Sequence, residues 1–391
     1  MVKSATQWLR GLVRVGKVQR RGAAKLAKTL FGAPVAKPKP RAKAKPKAAP
    51  KARPAPKLAL KLKVTVSKPA ARPVVPRAAV VPEAPPGKWL AAHYSPAPEM
   101  LGLSGKRMSY WLYLPAREPS ATVRRKGWPL VVMLHGCDQT ATQFAQGTRM
   151  NLLAEKKGFA VLYPQQSLRS HPHRCWKWYD KATQAGGGDV RMIVGAIEQV
   201  LQKYALDRGR VYLGGMSAGA GMANIVALRH PQLIAALGLH SGPVFGAGHG
   251  MIGALGVMQH GAGQRVDGAI DEVLAHSPAF PQLPTILIQG REDKVVRPIN
   301  QVQLTRQGVL LNRMPRGTAL SVAAKAAGRG GNAHQVHDYT VGKDVLLRVA
   351  LIERLEHAWS GGDPALAFNA KAGPDASKMM FEFFAGHRRL E

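Results

Sequence analysis

The sequence predicts an α/β fold: a mostly parallel central sheet with helices on both faces, preceded by a disordered basic Pro/Ala/Lys-rich N-terminal region. Three observations predict it. Across residues 89–391, short apolar runs alternate with segments of helical periodicity. One run, Val211-Tyr212-Leu213, leads into Gly215-Met216-Ser217-Ala218-Gly219 and then a small-residue stretch, which reads as strand, tight turn and helix with a serine at the turn. Positive charge is concentrated ahead of all this. Residues 1–88 carry 23 Lys and Arg against one acid, Glu83, so +22 of the formal +35 lies on less than a quarter of the 391 residues.

In chain order, residues 1–32 place Trp8, Leu12, Val15, Leu26, Leu30 and Phe31 at roughly helical spacing among Arg10, Arg14, Lys17, Arg20, Arg21, Lys25 and Lys28. This reads as a basic amphipathic helix, weakened at Gly16 and Gly22. Residues 33–88 are mostly Ala, Pro, Lys, Arg and Val. Prolines deny backbone hydrogen bonds and like charges repel, so the segment reads as an extended disordered linker. The basic region suits a solvated spacer, an anionic membrane or granule surface, or a nucleic-acid backbone held non-specifically. No Sec-type apolar core precedes a small-residue cleavage site, and no apolar span of 18 residues occurs. The compartment stays open between an extracellular and a cytoplasmic or granule-associated location.

The domain over 89–391 reads as strands at 108–114 and 130–134, a helix at 150–157, and a strand at 159–163. Residues 189–204 repeat apolar side chains at 190, 193, 194, 197, 200 and 201, a helical period. The strand at 211–213 feeds the serine turn and a helix to about Arg229, and another strand covers 234–239. Glycines and mixed polarity over 243–283 suggest an irregular insertion or cap. Pro284–Gly290 and Val345–Leu355 read as strands, and a last helix spans about 375–384.

The serine turn names a chemistry. Serine is a poor nucleophile until an imidazole takes its proton, and a carboxylate must hold that imidazole in one tautomer. Asp293 follows the Gly-closed strand at 284–290, and His357 follows the run at 345–355. Both therefore sit where open α/β sheets place their sites. Other carboxylates lie between Ser217 and His357, Asp338 and Asp344 among them, but only Glu292 and Asp293 directly follow a short apolar strand. The oxyanion needs backbone N–H donors: Ala218, after the serine, and the loop His135-Gly136-Cys137 after the strand at 130–134. With two cysteines, Cys137 and Cys175, the chain is no disulfide scaffold and has no metal-ligand spacing. Two buried thiols and one bridge both fit. No metal or cofactor is expected.

His135-Gly136-Cys137, Arg174-Cys175-Trp176-Lys177-Trp178, Gly215-Met216-Ser217-Ala218-Gly219, Val296-Arg297-Pro298-Ile299-Asn300 and His357-Ala358-Trp359-Ser360-Gly361-Gly362 occur in this order. Together they resemble the polyhydroxybutyrate-depolymerase family of serine esterases, of the α/β-hydrolase superfamily, over roughly residues 100–390. The family includes feruloyl and acetylxylan esterases. The resemblance implies Ser217 as nucleophile, Asp293 as acid, His357 as base and the amides of Cys137 and Ala218 as the oxyanion hole. It also implies a Cys137–Cys175 bridge. Trp176, Trp178, Tyr179 and Trp359 are then expected as an aromatic wall, or as packing, with His240 also near the substrate. Glu356 stands where the family usually has Gly, which puts a second carboxylate beside the base, and Lys177 where Asn is usual. Two readings follow: an esterase acting on polyhydroxyalkanoate-type or other short acyl esters, and a vestigial hydrolase whose basic N-terminus is a binding module.

Overall fold

A computed structural model of the protein describes residues 84–97 and 105–389. The helix expected within 1–32 and the linker up to residue 83 lie outside them. The chain runs β1 (Lys88–Tyr94), β2 (Met108–Leu114), α1 (Ala121–Lys126), β3 (Trp128–Leu134), α2 (Ala141–Thr148), α3 (Met150–Lys157) and β4 (Ala160–Pro164). It continues through α4 (Lys181–Gln184), α5 (Asp189–Lys203), β5 (Leu206–Met216), α6 (Ala218–Arg229), β6 (Ala236–His240), α7 (Met251–His260) and α8 (Arg265–His276). Then follow β7 (Thr285–Gly290), α9 (Ile299–Leu311), β8 (Ala319–Lys325), β9 (His334–Val341), β10 (Asp344–Ile352), β11 (Trp359–Ser360), β12 (Asn369–Ala370) and α10 (Ala376–Phe384).

Ten strands form one sheet in the order β1-β2-β4-β3-β5-β6-β7-β10-β9-β8. The six from β4 to β10 in that order pair in parallel, while β1-β2 and β9-β8 flank them antiparallel. The parallel core follows from the apolar runs. Leu130, Val132 and Leu134 enter one hydrophobic cluster, and Val131 and Met133 enter the other. A strand that is apolar at every position has two faces to bury, so helices must cover both. Helices α5 to α9 contribute to the first cluster, and α2, α3 and α10 to the second. No helix among the described residues is long and apolar enough to cross a membrane.

Several stretches differ from the sequence reading, the short helices α1, α2 and α4 among them. Residues 251–260 and 265–276 are helices, not an irregular insertion. Gly248 and Gly250 precede the first helix and Gly261 and Gly263 the second, and all four adopt positive φ. Beyond them Val266, Ala269, Ile270 and Val273 bury one face at helical spacing. The hairpin β8–β9 and the helix α9 were not expected. Strand β8 is exposed at all 7 positions, so burial imposes no alternation on its sequence. Strand β1 begins at Lys88, one residue ahead of the domain start expected at 89, and pairs with β2 throughout its length.

Candidate active site

Strand β5 ends at Met216, Ser217 turns the chain, and α6 starts at Ala218. Ser217 adopts φ 56° and ψ −122°, a conformation non-glycine residues rarely occupy. Its amide donates to His240 O of the neighbouring strand at 3.0 Å, which helps hold the strained turn. Glycine flanks it for steric reasons. A Cβ on Gly219 would lie 2.1 Å from Leu134 O, and one on Gly215 would lie 2.6 Å from Gly219 C. Strand, turn and helix approach this closely only without those side chains.

Asp293 lies in the loop after β7 and is 2 % exposed. Its Oδ1 accepts the amides of Val295 and Val296, each at 2.9 Å. Its Oδ2 accepts Gln289 Nε2 at 3.2 Å and His357 Nδ1 at 2.8 Å. A carboxylate only accepts, so His357 carries its proton on Nδ1 and leaves Nε2 as a free base. The loops bearing Asp293 and His357 are laced together: Arg291 N donates to Ile352 O at 2.9 Å and Glu292 N to Leu355 O at 3.1 Å. Asp338 is committed elsewhere, with both oxygens on Arg348 at 2.7 Å.

The third part is the loop after β3. Gly136 N donates to Gln139 Oε1 at 2.8 Å, and Trp176 Nε1 to His135 O at 3.0 Å. The His135 ring is fully buried, and burial lowers its pKa to about 4. Its Nε2 accepts Gln166 N at 3.1 Å, so Nδ1 carries the proton and donates to Gly136 O at 2.8 Å. Cys137 and Cys175 are joined, with Cα atoms 4.3 Å apart, which ties this loop to the Trp176–Trp178 segment. No hydrogen bond among the described residues uses the amides of Cys137 or Ala218. Ser217, His357 and Cys137 line one narrow cleft with Gly136, Gln139, Met216 and Phe368. Ser217 and His357 share this cleft, with no hydrogen bond between their side chains among the described residues.

Replacing both cysteines by serine should lower unfolding free energy by roughly 3–4 kcal/mol in the chain-entropy model, read by urea titration. Thiol titration of the denatured, unreduced protein should find no free thiol; finding two would reject the bridge.

Other expected site residues lie elsewhere. Trp176, Trp178 and Trp359 are 0 %, 5 % and 1 % exposed, so no open aromatic wall forms. Their indoles are core: Trp359 donates Nε1 to Ser377 Oγ at 3.2 Å and packs edge-on to Phe144. Tyr179 is half-buried against Trp178. His240 is 0 % exposed and stacks on Trp359, out of reach of a substrate in the cleft. Glu356 is not hydrogen-bonded to His357; burial raises its own pKa, with Lys294 opposing. The sequence reading missed Gln289 and Gln139, which hold Asp293 and the loop after β3. Their signal was an amide in or just after an apolar strand, where a polar side chain needs a partner. No group of three or more His, Cys, Asp and Glu among the described residues is arranged for a metal.

Comparison with known proteins adds the family context. The family model described as "Esterase PHB depolymerase" matches residues 108–335. Feruloyl esterase B of Neurospora crassa is 36 % identical over 115 residues, 29 % of this chain and 38 % of that protein. Poly(3-hydroxyalkanoate) depolymerase C of Paucimonas lemoignei is 28 % identical over 182 residues, 46 % of this chain and 44 % of its own. The chain thus spans less than half the length of these relatives. Among solved structures, an acetyl xylan esterase from Aspergillus awamori aligns with TM-score 0.58 at 19 % identity, covering 76 % of this chain and 99 % of that one. The likeness is one of fold, and the fold is that of the α/β-hydrolases.

Proposed function

This chain belongs to the esterase PHB depolymerase family, and from that premise we propose that it hydrolyses carboxylic esters through an acyl-enzyme on Ser217. The observation carrying this reading is the cleft shared by Ser217, His357 and Cys137, with His357 Nδ1 held 2.8 Å from Asp293. Ser217 Oγ attacks the ester carbonyl carbon as His357 Nε2 takes its proton. Asp293 keeps the other ring nitrogen protonated and stabilises the imidazolium. The carbonyl oxygen becomes an oxyanion, received by the unused amides of Cys137 and Ala218. Collapse breaks the C–O bond to the alcohol, which leaves with the proton from His357. Water, deprotonated by His357, then attacks the acyl-serine and releases the acid and free Ser217.

The substrate reading is polyhydroxyalkanoate-type polyester or its oligomers, following the depolymerase relative. A second reading, a feruloyl- or acetylxylan-type carboxylesterase, follows the relatives named for those activities. The narrow cleft favours a short acyl group. Across p-nitrophenyl esters, kcat/KM is expected to fall at least about tenfold from butyrate to decanoate. A flat series would reject the short-acyl reading, and absence of hydrolysis throughout would reject the esterase.

The basic N-terminus serves surface binding in this proposal. Deleting residues 1–83 should leave turnover of p-nitrophenyl butyrate nearly unchanged, because every group assigned above lies beyond them. The deletion should weaken association with polyester granules, anionic vesicles or DNA, and the intact protein's association should fall steeply with salt. A folded deletion variant that loses activity would place the segment in the active site. Unchanged binding would leave it a spacer.

A further inference from the structure

His240 is a fully buried titratable group next to the candidate site that the acyl-transfer scheme leaves unused. It ends β6, one strand from the nucleophile, and is paired in register with Met216. Its carbonyl accepts Ser217 N at 3.0 Å. Its ring reaches the opposite way. Nε2 accepts the Ser360 amide at 3.3 Å, and the ring stacks on Trp359 with centroids 5.0 Å apart and planes 24° from parallel. Trp359 and Ser360 follow His357 by two and three residues. A backbone amide only donates, so Nε2 is unprotonated and Nδ1–H donates to Ser241 Oγ at 3.1 Å. Ser241 is itself anchored, its amide donating to Ile288 O of β7 at 2.9 Å.

From this bridging geometry we propose that His240 is a positioning residue: it holds the loop carrying His357 in register with the turn carrying Ser217. The role rests on the esterase reading above and deepens it. A residue that fastens both loops sets the approach of Nε2 to Oγ without touching substrate. Its ring suits the task because it stays neutral. Burial, and the nearby charge that His357 carries in turnover, lower its pKa to about 3, with Asp293 opposing. No competing cation therefore stands behind the imidazole that must become one.

The test is steady-state hydrolysis of p-nitrophenyl butyrate by full-length wild type, His240→Phe, His240→Gln and Ser217→Ala. Phenylalanine keeps the stack on Trp359 and loses the acceptor for Ser360; glutamine keeps an acceptor. His240→Phe should lower kcat about 10- to 100-fold with KM little changed, the scale expected for misplaced catalytic groups. His240→Gln should recover most of that loss. Should His240→Phe fail to fold by near-UV circular dichroism, His240→Asn takes its place. Asparagine is too short to reach Ser360, and the same loss is expected. Wild-type kcat in a folded His240→Phe or His240→Asn, an equal loss in His240→Gln, or a rise in KM alone would each overturn the proposal. An inactive Ser217→Ala beside any of these leaves the esterase reading standing. A Ser217→Ala protein with wild-type turnover removes the esterase reading itself.

Discussion

Replacing Ser217 with alanine is expected to lower ester turnover at least about 10³-fold while leaving the protein folded. The effect is large because no other hydroxyl among the described residues lines the cleft with His357. The fold should survive for a separate reason. Ser217 Oγ makes no hydrogen bond among the described residues, whereas its amide holds His240 O at 3.0 Å and stays in place. Alanine meets the same positive-φ strain at φ 56° that serine already bears. The residual rate should come from the oxyanion donors and from binding. Measurement of kcat/KM on p-nitrophenyl butyrate, with matched circular dichroism, decides it. A folded variant with wild-type turnover would sink the acyl-enzyme mechanism.

Asp293→Asn should cost about 10³- to 10⁴-fold in kcat, through the wrong tautomer rather than a lost shape. The surroundings dictate how the amide sits. Val295 N and Val296 N both donate to Oδ1 at 2.9 Å, so the asparagine oxygen must take that side. Its NH2 then faces His357 Nδ1, which has to accept, and the ring proton moves to Nε2 where a base is needed. The same NH2 also meets the Gln289 Nε2 donor, now 3.2 Å from an acceptor, so the loop loses a bond as well. The pH dependence of kcat together with its size tests this. A loss below tenfold would mean that Asp293 does not orient the base.

Much of the framework is legible along the chain because strand and helix burial are local properties. In the run Leu130–Leu134, alternate residues fill opposite faces of the sheet, and such a run has few other fates than a central strand. Helix α5 announces itself through residues 190, 193, 197, 200 and 201, all of which are buried. Where burial is weak the signal vanishes, as in the fully exposed β8. Where glycines crowd the approach to a helix they hide its periodicity, as ahead of Arg265–His276.

The sequence by itself determined the order of elements, the glycines that admit the turn at Ser217, and the position of Asp293 and His357 after strands. These are steric and periodic facts held within a few residues of each other. The tertiary structure decided which groups meet. Parallel register puts His240 beside Met216, and the packing of the 353–360 loop over β6 turns an expected substrate contact into a buried bridge. It also decided that Trp176, Trp178 and Trp359 fill the core instead of facing solvent. An indole reads the same in sequence whether it is walled in or open. Only the neighbours brought against it by strand register and helix packing choose between the two, and those neighbours lie up to 215 residues away, as Phe144 does from Trp359.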